Sequence, residues 1–508
     1  MKRDIAITSG RRGSALLLVM VLGTALLGIV GLALDGGSLY VTKQRAQAAA
    51  DAAAQAGAMD LYRGYGSTAA TASAAAYGVK NGFASSEVVT EYPDCSTLAW
   101  CNGHVTLSGV DSPNLIQVTV TKVVDTVFLR AVGVNTSTVK AVGTAAITLE
   151  RQPVPILVLH PSASGSFSKN GTNTIQICGG PVRSIQVNST STTSISISGA
   201  SGTVDLSHAG PLDVSGDCTA GTGADFGNTG TQNPYPGTIS LGTKPGQYIS
   251  PASPIADPLL DIAAPAQPAI AGGYDTYAPG QHNCPSDLPS GVECRLYHGG
   301  YYASGIQFGS SKVYAQFRPG IYWINHGGLQ FDSNSIVRMA QGTDSSDPTG
   351  ITTWTRGMLV YNSPSSPVNT SNDIITITSN AGQLQGGYKN PTADCPNGGN
   401  CLVGSPSDSA YKSILFFQNR ATATTLNHQL QGGGGLTIRG TIYLTHTAAT
   451  TATDGKFQSL SLQGNSGGVT KVEGEIIVDA LSLGGNSTVT MNLLSAATFF
   501  VRQVALVR

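Results

Sequence analysis

Charged residues are scarce in this sequence. Asp, Glu, Lys and Arg make up 11% of its 508 residues, and the net charge is −1, whereas about a quarter is usual for a soluble domain. No basic stripe occurs, so the sequence lacks the electrostatic footprint of a nucleic-acid-binding protein. Hydrophobic residues still reach 41%. That is enough to build a packed core, and it excludes a largely disordered chain.

Two motifs that carry chemistry are also absent. No GxxxxGK[ST] phosphate-binding loop occurs, which argues against an assembly ATPase. No CxxC occurs, and the eight histidines are scattered, which argues against a thiol-redox site or a zinc site. We therefore predict no metal and no cofactor.

A long uncharged run stands near the N-terminus. Residues 13–34, GSALLLVMVLGTALLGIVGLAL, would reach about 33 Å as a helix, enough to cross a hydrocarbon core of about 30 Å. The charged residues before it are four basic and one acidic, namely Lys2, Arg3, Arg11, Arg12 and Asp4. A positive flank of this kind stays in the cytoplasm. We predict a cytoplasmic tail at 1–12, a membrane-spanning helix at 13–34 and an extracytoplasmic remainder in the cell membrane.

Two other interpretations of this run are a cleaved secretory signal and a prepilin-peptidase substrate. A cleaved secretory signal has an apolar region of about 7–15 residues and a small-residue cleavage site, and this run is longer and has no clean site. A prepilin-peptidase site would follow Arg12, but Leu18 stands where pilins carry glutamate. A retained anchor is therefore the preferred interpretation.

The cysteine count is even, which in an exported chain suggests disulfides. Sequence alone does not fix their connectivity. Three local pairs and one distant couple are suggested by spacing: Cys95 with Cys101, Cys284 with Cys294, Cys395 with Cys401, and Cys178 with Cys218.

A second helical segment follows the apolar run. Only Gly57 interrupts good helix formers between Leu39 and Leu61. A face of small residues recurs at helical spacing and would let another backbone approach closely; it comprises Ala46, Ala49, Ala50, Ala53, Ala54 and Gly57. Either another protein docks on this face, or the face packs on its own domain.

The stretch LALDGGSLYVTKQRAQAAADAAAQAGAMDL resembles the N-terminal segment of TadG-like proteins of the Tad (Flp) pilus-assembly system. The resemblance covers about residues 11–63, and its matching positions are Asp35, Gly36, Tyr40, Gln44, Ala49, Ala50, Asp51, Ala52, Ala53 and Ala54. It implies an envelope-anchored accessory of pilus assembly or surface adhesion. The implied partners are the membrane and other Tad components, and no catalytic residue is carried over.

Residues 35–151 are predicted to form a helical and small α/β domain, which also resembles the Tad pattern. A second Ala-rich helix is expected at Thr68–Phe83, ending at Asn81-Gly82. Strands are expected near Val105, from Leu115 and from Val139.

Residues 152–508 are predicted to form a β-rich ectodomain. Pairs of aliphatic residues recur every eight to ten residues; they are Ile175/Ile177, Ile185/Val187, Ile195/Ile197, Val204/Leu206 and Leu212/Val214. Short strands at such spacing are typical of a solenoid or a sandwich. We predict a right-handed parallel β-helix, with a β-sandwich as the alternative. A Pro/Gly-rich stretch at 219–300 is interpreted as an insertion.

Several groups in this region resemble catalytic motifs, but none is predicted to be catalytic. Ser466 in a Gly-Asn-Ser-Gly-Gly turn has His446 only twenty residues upstream, too near for a trypsin-like triad. Glu473 and Glu475 would share one side of a strand, as a glycan-cleaving pair would need. Asp344 and Asp347 lie in a turn motif. His160-Pro161-Ser162 lacks the metal-binding aspartate of a von Willebrand factor A domain.

The predicted function is therefore a non-catalytic, membrane-anchored accessory of pilus assembly or anchoring. A surface adhesin that binds glycan through the β region is the first alternative, with exposed aromatics at Tyr301, Tyr302, Tyr322 and Trp323 as candidates. An envelope polysaccharide-active enzyme is the second alternative.

Overall fold

The chain divides into two units of unequal size. The first comprises residues Met1–Glu150 with Arg502–Arg508, and the second comprises residues Arg151–Val501. The structure is a computed structural model, and it describes residues 12–62, 65–93, 115–151, 154–178, 183–198, 203–207, 223–232, 239–241, 246–282, 284–309, 311–331, 335–340, 357–379, 400–406, 409–422, 424–432, 435–446, 457–464, 470–486, 488–493 and 500–507.

The first unit begins with one uninterrupted helix, α1 (Arg12–Tyr62). It runs through Asp35-Gly36-Gly37 without a break, so the predicted anchor and its extension form a single rod. By length and composition it holds a stretch that would cross a membrane, and Leu22, Ile29 and Leu32 are more than half exposed along it. Helix α2 (Gly66–Lys80) follows and ends where Gly82 takes a positive φ of 89°.

An antiparallel sheet packs beside these helices. Its strands are β1 (Val88–Glu91), β2 (Leu115–Asp125) and β3 (Thr136–Arg151). On β2 every second residue is buried, Ile116, Val118 and Val120 among them, because one sheet face covers the helices and the other meets solvent. The strand expected near Val105 lies outside the described residues.

The fourth strand of this sheet comes from the far end of the chain. The sheet order is β1-β2-β3-β33, where β33 is Phe500–Leu506, and the Val507 amide donates to the Thr144 carbonyl at 2.8 Å. The prediction that the β-rich ectodomain extends to residue 508 is therefore wrong at its end. The second unit is an insertion between two neighbouring strands of the first.

The second unit consists of short strands in two chain segments. The first segment holds β4 (Ile156–Val158), β5 (Phe167–Lys169), β6 (Thr174–Cys178), β7 (Arg183–Val187), β8 (Ile195–Ile197), β9 (Val204–Asp205), β10 (Asp225–Asn228), β11 (Ile239–Ser240) and β12 (Tyr248–Ile249). The second holds β13 (Gly273–Tyr277), β14 (Glu293–His298), β15 (Gly300–Tyr302), β16 (Ile306–Gln307), β17 (Val313–Phe317), β18 (Gly320–Ile324), β19 (Leu329–Phe331), β20 (Ile336–Met339), β21 (Met358–Asn362), β22 (Ile375–Ser379), β23 (Asn400–Val403), β24 (Ile414–Gln418), β25 (Leu426–Gly432), β26 (Leu436–Arg439), β27 (Thr441–Leu444), β28 (Gln458–Gly464), β29 (Thr470–Glu473), β30 (Ile476–Val478), β31 (Ala480–Gly485) and β32 (Thr488–Asn492).

These strands build three sheets. Sheet 1 has the order β12-β10-β7-β4-β30-β27-β24-β21-β18-β15, sheet 2 has β11-β9-β6-β32-β29-β26-β23-β20-β17-β14-β13, and sheet 3 has β16-β19-β22-β25-β28-β31-β5-β8. Neighbours mostly differ by three, because successive turns of chain place one strand in each sheet. Among the described strands of this unit the pairing is parallel, except for the antiparallel pair β13 and β14. A β-sandwich pairs its strands antiparallel, so that alternative does not fit.

The first strands of the second unit lie in the middle of the stacked strands of these sheets and not at an end. Strand β4 pairs with β7 on one side and with β30 on the other, and β6 pairs in the same way with β9 and β32. The first segment therefore builds outward to one end of the stack. The second segment starts at the other end and winds back until its last turn meets the first turn of the unit.

The core of the second unit is a set of stacked aliphatic and aromatic side chains. Equivalent positions of neighbouring turns align, as in the ladder Ile442, Ile476, Ile156 and Ile185, and all four are fully buried. Each such side chain contributes about 1.5–3 kcal/mol relative to exposure. The predicted aliphatic pairs from Ile175 to Leu206 belong to this core except the partly buried Ile197, and Leu212/Val214 lie outside the described residues.

Residues 250–272, here called the strap, connect the two segments. Leu259 is 1% exposed and packs with outward-facing side chains of sheet 1, including Leu157, Leu359 and Tyr443. At its end the strap forms a bridge from Ala271 to Tyr301 on β15. The stretch 219–300, predicted to be an insertion, contains β10 to β14 and this connection, and β15 begins at its last residue.

Candidate functional site

The family-motif residue Asp35 binds a distant loop of the first unit. Its carboxylate accepts hydrogen bonds from the backbone amides of Val127, Phe128 and Leu129 at 3.1, 2.9 and 2.7 Å. The Leu129 amide, with those of Val127 and Phe128, lowers the pKa of Asp35 despite the opposing effect of burial. A carboxylate that accepts several backbone amides stays ionised, so Asp35 acts as a permanent anchor for this loop.

Phe128 lies directly against helix α1. A Cβ placed on Gly31 would come within 2.6 Å of the Phe128 ring, so only glycine lets the ring approach at this position. The sequence motif identified Asp35 but not its partners, which lie more than ninety positions away. The sequence signal that could have indicated this loop is the apolar trio Val127-Phe128-Leu129. It lies between two strands in which apolar and polar residues alternate.

The small-residue face of α1 is covered by its own unit. Ala46, Ala49, Ala50, Ala53 and Ala54 are completely buried in one cluster with α2 and the sheet. Gly57 lies under Ile116, and Gly143 of β3 lies over the Ala50 backbone, where a Cβ would approach to 2.5 Å. Of the two interpretations left open above, packing on its own domain describes this face.

Other motif residues remain at the surface of α1. Tyr40 is 65% exposed, and its hydroxyl accepts a hydrogen bond from Gln44 at 3.0 Å. Gly36 has open space around it. These positions form a surface one to three turns beyond the apolar segment, where another protein has access.

Asp51 borders a cleft of about 550 Å³ in the first unit. Gln47 donates to the Asp51 carboxylate at 2.9 Å and to the Val142 carbonyl at 2.8 Å. The remaining lining residues are Gln117, Thr144, Leu506 and Val507. The cleft is thus lined by residues of α1, β2, β3 and the end of the chain, and its one carboxylate is already hydrogen-bonded.

Among the described residues of the second unit, the carboxylate residue Glu473 lies within a strand and Glu475 lies outside it. Glu473 ends β29 and forms an ion pair with Arg439 at 2.6 Å, whereas Glu475 lies beyond a corner at Gly474 and is 2% exposed. The expectation that both share one side of a strand is wrong, because the chain turns between them. Ser466, Asp344 and Asp347 lie outside the described residues.

Two buried titratable side chains of this unit accept hydrogen bonds from backbone amides. Asp479 accepts the amides of His446 and Gln458 at 2.7 and 2.8 Å, and burial raises its pKa to about 8. His428 accepts the Ile375 amide at 3.0 Å, and burial lowers its pKa to about 3. In the described part of the chain, no three His, Cys, Asp or Glu side chains converge as metal ligands.

The four aromatic residues considered for glycan binding are mostly enclosed. Tyr302 is 7% exposed and Tyr322 is fully buried in the core. Trp323 packs against the cluster under the strap, and its ring lies 5.4 Å from that of Tyr301. Tyr302 and Tyr322 therefore fill the core, whereas Tyr301 and Trp323 are half-buried.

The outer face of sheet 3 carries a different pattern. One outward position per strand aligns into a ladder of uncharged polar residues, in the order Gln307, Gln330, Thr376, Gln429, Ser461, Ser482, Ser168 and Ser196. Neighbours in such a ladder are about 4.8 Å apart. The charged or titratable residues of the described strands of this sheet, Lys169 and His428, are buried, so they do not interrupt the ladder.

The disulfide pattern is described in part. Cys284 and Cys294 are bonded to each other and buried, which agrees with their local spacing. Cys178 and Cys401 are also disulfide-bonded. The pairs predicted for them with Cys218 and Cys395, and the pair Cys95 with Cys101, involve residues outside the described part.

Together these features define a class of protein: a long apolar N-terminal helix that carries its own small sheet, followed by a large mostly-β unit with parallel sheets. Residues 13–60 match the family described as "Putative Flp pilus-assembly TadE/G-like", and residues 37–145 match the one described as "Putative Tad-like Flp pilus-assembly". The resemblance of the N-terminal region is thereby confirmed. No curated protein and no solved structure matches the chain significantly.

Proposed function

We propose that this protein is a membrane-anchored, extracytoplasmic and non-catalytic accessory of Tad/Flp-type pilus assembly or anchoring. The observation that carries the proposal is the match of residues 13–145 to pilus-assembly families, which spans α1 and most of the first unit. Asp35 and the small-residue face, both part of the motif, hold that unit together. The motif therefore encodes a stable anchor domain and leaves Tyr40 and Gln44 for contact.

The membrane arrangement follows from charge and exposure. Exposed apolar side chains cover α1 up to Leu34, and four basic residues precede the apolar run. The N-terminus accordingly lies in the cytoplasm, and the part of the first unit that follows Leu34 lies outside it together with the second unit. The buried disulfide between Cys284 and Cys294 supports an oxidising location for the second unit.

The second unit is, in this proposal, a right-handed parallel β-helix. Parallel ladders that step by three strands, with aligned aliphatic side chains inside, support this architecture. Right-handedness follows the usual hand of parallel crossover connections.

The experiment measures pilin sheared from cells against total pilin, in a strain without this protein and in complemented strains. Loss of surface pilin with retained cellular pilin, restored by the parent chain, supports an assembly role. Unchanged surface pilin contradicts it. Tyr40→Ala should fail to restore surface pilin, whereas Tyr65→Ala should restore it, since both tyrosines are 65% exposed and only Tyr40 belongs to the motif.

A second candidate function, a surface adhesin, is favoured by the ladder on sheet 3. Hydroxyl and amide groups without charge suit a neutral polysaccharide, whose hydroxyls are both donors and acceptors. Full-length protein in vesicles would be tested for retention on neutral polysaccharide beads. Gln429→Glu should reduce retention, and Gln176→Glu, the same change on sheet 2, should not. Equal retention of parent and both variants would contradict a role for the ladder.

A further inference from the structure

The loop between β2 and β3, residues 126–135, exposes apolar side chains. Val127, Phe128 and Val134 are 72%, 44% and 43% exposed. The flanking strands end in exposed polar residues, Asp125, Thr136 and Thr138, although Val123 further along β2 is 58% exposed. The loop is therefore an apolar tip set off from Val123 by polar residues.

Two contacts fix the position of this tip along the axis of α1. Asp35 accepts the three backbone amides of Val127, Phe128 and Leu129, and the Phe128 ring touches Gly31. Gly31 precedes Asp35 by four residues, which corresponds to about 6 Å along a helix. The ring thus lies beside the last turn of the apolar segment that ends at Leu34.

The helix surface at the same height is apolar as well. Ile29, Val30, Leu32 and Leu34 are between 51% and 66% exposed, and they share this level with Phe128 and Val127. The exposed apolar side chains of the loop therefore extend the apolar surface of α1 to one side. Whatever surrounds the helix here also surrounds the tip.

Most backbone amides of the loop have hydrogen-bond acceptors within the protein, as an environment without water requires. Besides the three amides held by Asp35, the Thr126 amide donates to Asn135, the Gly133 amide to Arg130 and the Val134 amide to Leu129. Backbone groups in a hydrocarbon environment must find partners within the protein. Six amides of the ten-residue loop do so in the structure.

We infer that the tip formed by Val127, Phe128 and Val134 inserts into the outer leaflet of the membrane that α1 crosses. The inference rests on the proposed anchoring of α1. A depth of about 6 Å falls within the 5–10 Å typical of interfacial elements, and Arg130, exposed beside the tip, lies at the height of lipid phosphates. The second attachment prevents the first unit from rotating or tilting freely on a single helix.

The test uses full-length protein in vesicles of phosphatidylcholine and phosphatidylglycerol, with a nitroxide attached to one introduced cysteine. Val127→Cys reports on the tip, Val30→Cys on the helix, and Ser67→Cys on exposed α2, whose start lies beside Asp60, about 37 Å along α1 from Asp35. Relaxation by oxygen, which concentrates in lipid, is compared with relaxation by a water-soluble nickel chelate. The parent protein, treated in the same way, gives the labelling background.

The expected result is that Val127 behaves like Val30, with at least about fivefold preference for oxygen over the chelate relative to Ser67. If Val30 is in lipid but Val127 matches Ser67, the inference is wrong and the anchoring stands. If Val30 also matches Ser67, the anchoring and the inference both fail. A tip shielded from both reagents points to a second protein segment as its occupant and also overturns the inference.

Discussion

Asp35 shows how one side chain joins segments that are far apart in sequence. Helix N-caps normally satisfy amides two or three residues away, whereas Asp35 satisfies three amides at positions 127 to 129. One of them, Leu129, begins a short 3-10 helix (Leu129–Val132). The carboxylate therefore caps this helix from a different element and ties it to α1.

Asp35→Ala should release the loop without unfolding the unit. The amides of Val127, Phe128 and Leu129 would lose their acceptor, and their hydrogen exchange should become at least about tenfold faster. Asp51→Ala is the matched control, because Asp51 accepts from Gln47 on the same helix. Unchanged exchange at the three loop amides would show that Asp35 does not hold them.

Gly143→Ala should destabilise the first unit by about 1–3 kcal/mol, because its Cβ would meet the Ala50 backbone and force an overpacked contact. Gly37→Ala serves as the control, since nothing lies within 4 Å of that position and a helical alanine stabilises by about 0.5–1 kcal/mol. Exchange of the buried β3 amides measures both effects. Equal protection in the two variants would contradict close packing at Gly143.

The same packing changes how bulky substitutions of the alanine face are interpreted. Ala50 and Ala53 are fully buried, so larger side chains there would disrupt the unit and thereby any function. An assembly defect in such variants would not identify a docking surface. The exposed motif residue Tyr40 is the informative position.

At the scale of elements, the strap holds the two segments of the second unit together. Asn188, which follows β7, exchanges two hydrogen bonds with Ile255, and Tyr443 on β27 donates to Asp257 at 2.6 Å. These partners lie on opposite sides of the junction between β4 and β30. The strap therefore fastens the junction from outside.

Arg420→Ala should loosen the middle of the strap. Its guanidinium donates to the carbonyls of Leu259, Leu260 and Ile262 at 3.3, 2.6 and 2.6 Å. Loss of even one net bond of about 1.4 kcal/mol raises local opening about tenfold, so elastase should cut the strap about tenfold faster. Lys312→Ala, at an exposed lysine away from the strap, should leave the cleavage rate unchanged. Equal rates in both variants would contradict this role.

The elements differ in how far their sequence predicts them. Alanine content and apolar length predict α1 and α2, and paired aliphatics predict the short strands, because these signals depend on local spacing. The pairing of β4 with β30 joins strands that are far apart in sequence, and several strands of similar sequence could pair there. The local spacing of residues therefore does not predict this pairing. Asp35 was predicted as a motif position, but its loop was not, because the contact crosses more than ninety residues.

At the scale of the whole molecule, the three sheets present three kinds of outer surface. Sheet 1 is apolar and covered by the strap, sheet 2 carries charged residues such as Arg295 and Lys471, and sheet 3 carries the uncharged ladder. Contact with water requires polar outer faces, but it does not require the two polar sheets to differ in charge. Sheet 3 is thus the face on which a neutral ligand meets the least electrostatic interference.

Two buried groups of the second unit make its stability depend on pH in opposite directions, so a net loss of stability is expected only as pH rises from about 6.5 to about 8. Burial raises the pKa of Asp479 to about 8, so the folded state favours the protonated acid, and ionisation above the unfolded value of about 3.9 weakens folding. His428, with its pKa lowered to about 3, acts oppositely and removes stability as pH falls from about 6.5 towards 3.

Asp479→Asn should remove the loss of stability above pH 6.5, which amounts to on the order of 2 kcal/mol between pH 6.5 and pH 8. The amide oxygen still accepts the two backbone amides. Denaturant unfolding of the full chain, followed by exchange of the sheet 1 amides, measures the effect. A variant with the pH profile of the parent would show that Asp479 is not the group responsible.

Replacement of residues 152–499 by a short Gly-Ser linker should leave a folded first unit. The unit would retain α1, α2, β1 to β3 and β33, because β3 and β33 are neighbours in one sheet. Removal of residues 500–508 from the full chain should instead expose β3 and increase exchange of its amides. If the shortened chain fails to fold in detergent while the parent folds, the first unit requires its insert.

The return of β33 to the first sheet also sets an order of events during synthesis. Its residues are made roughly 350 positions after those of β3, which at about 5–20 residues per second takes roughly 20–70 s. During that interval β3 is an unpaired edge, open to any strand that reaches it. A chain cut before residue 500 lacks β33 and keeps this edge of β3 unpaired, so the strand made long after its neighbours is the one that closes the sheet.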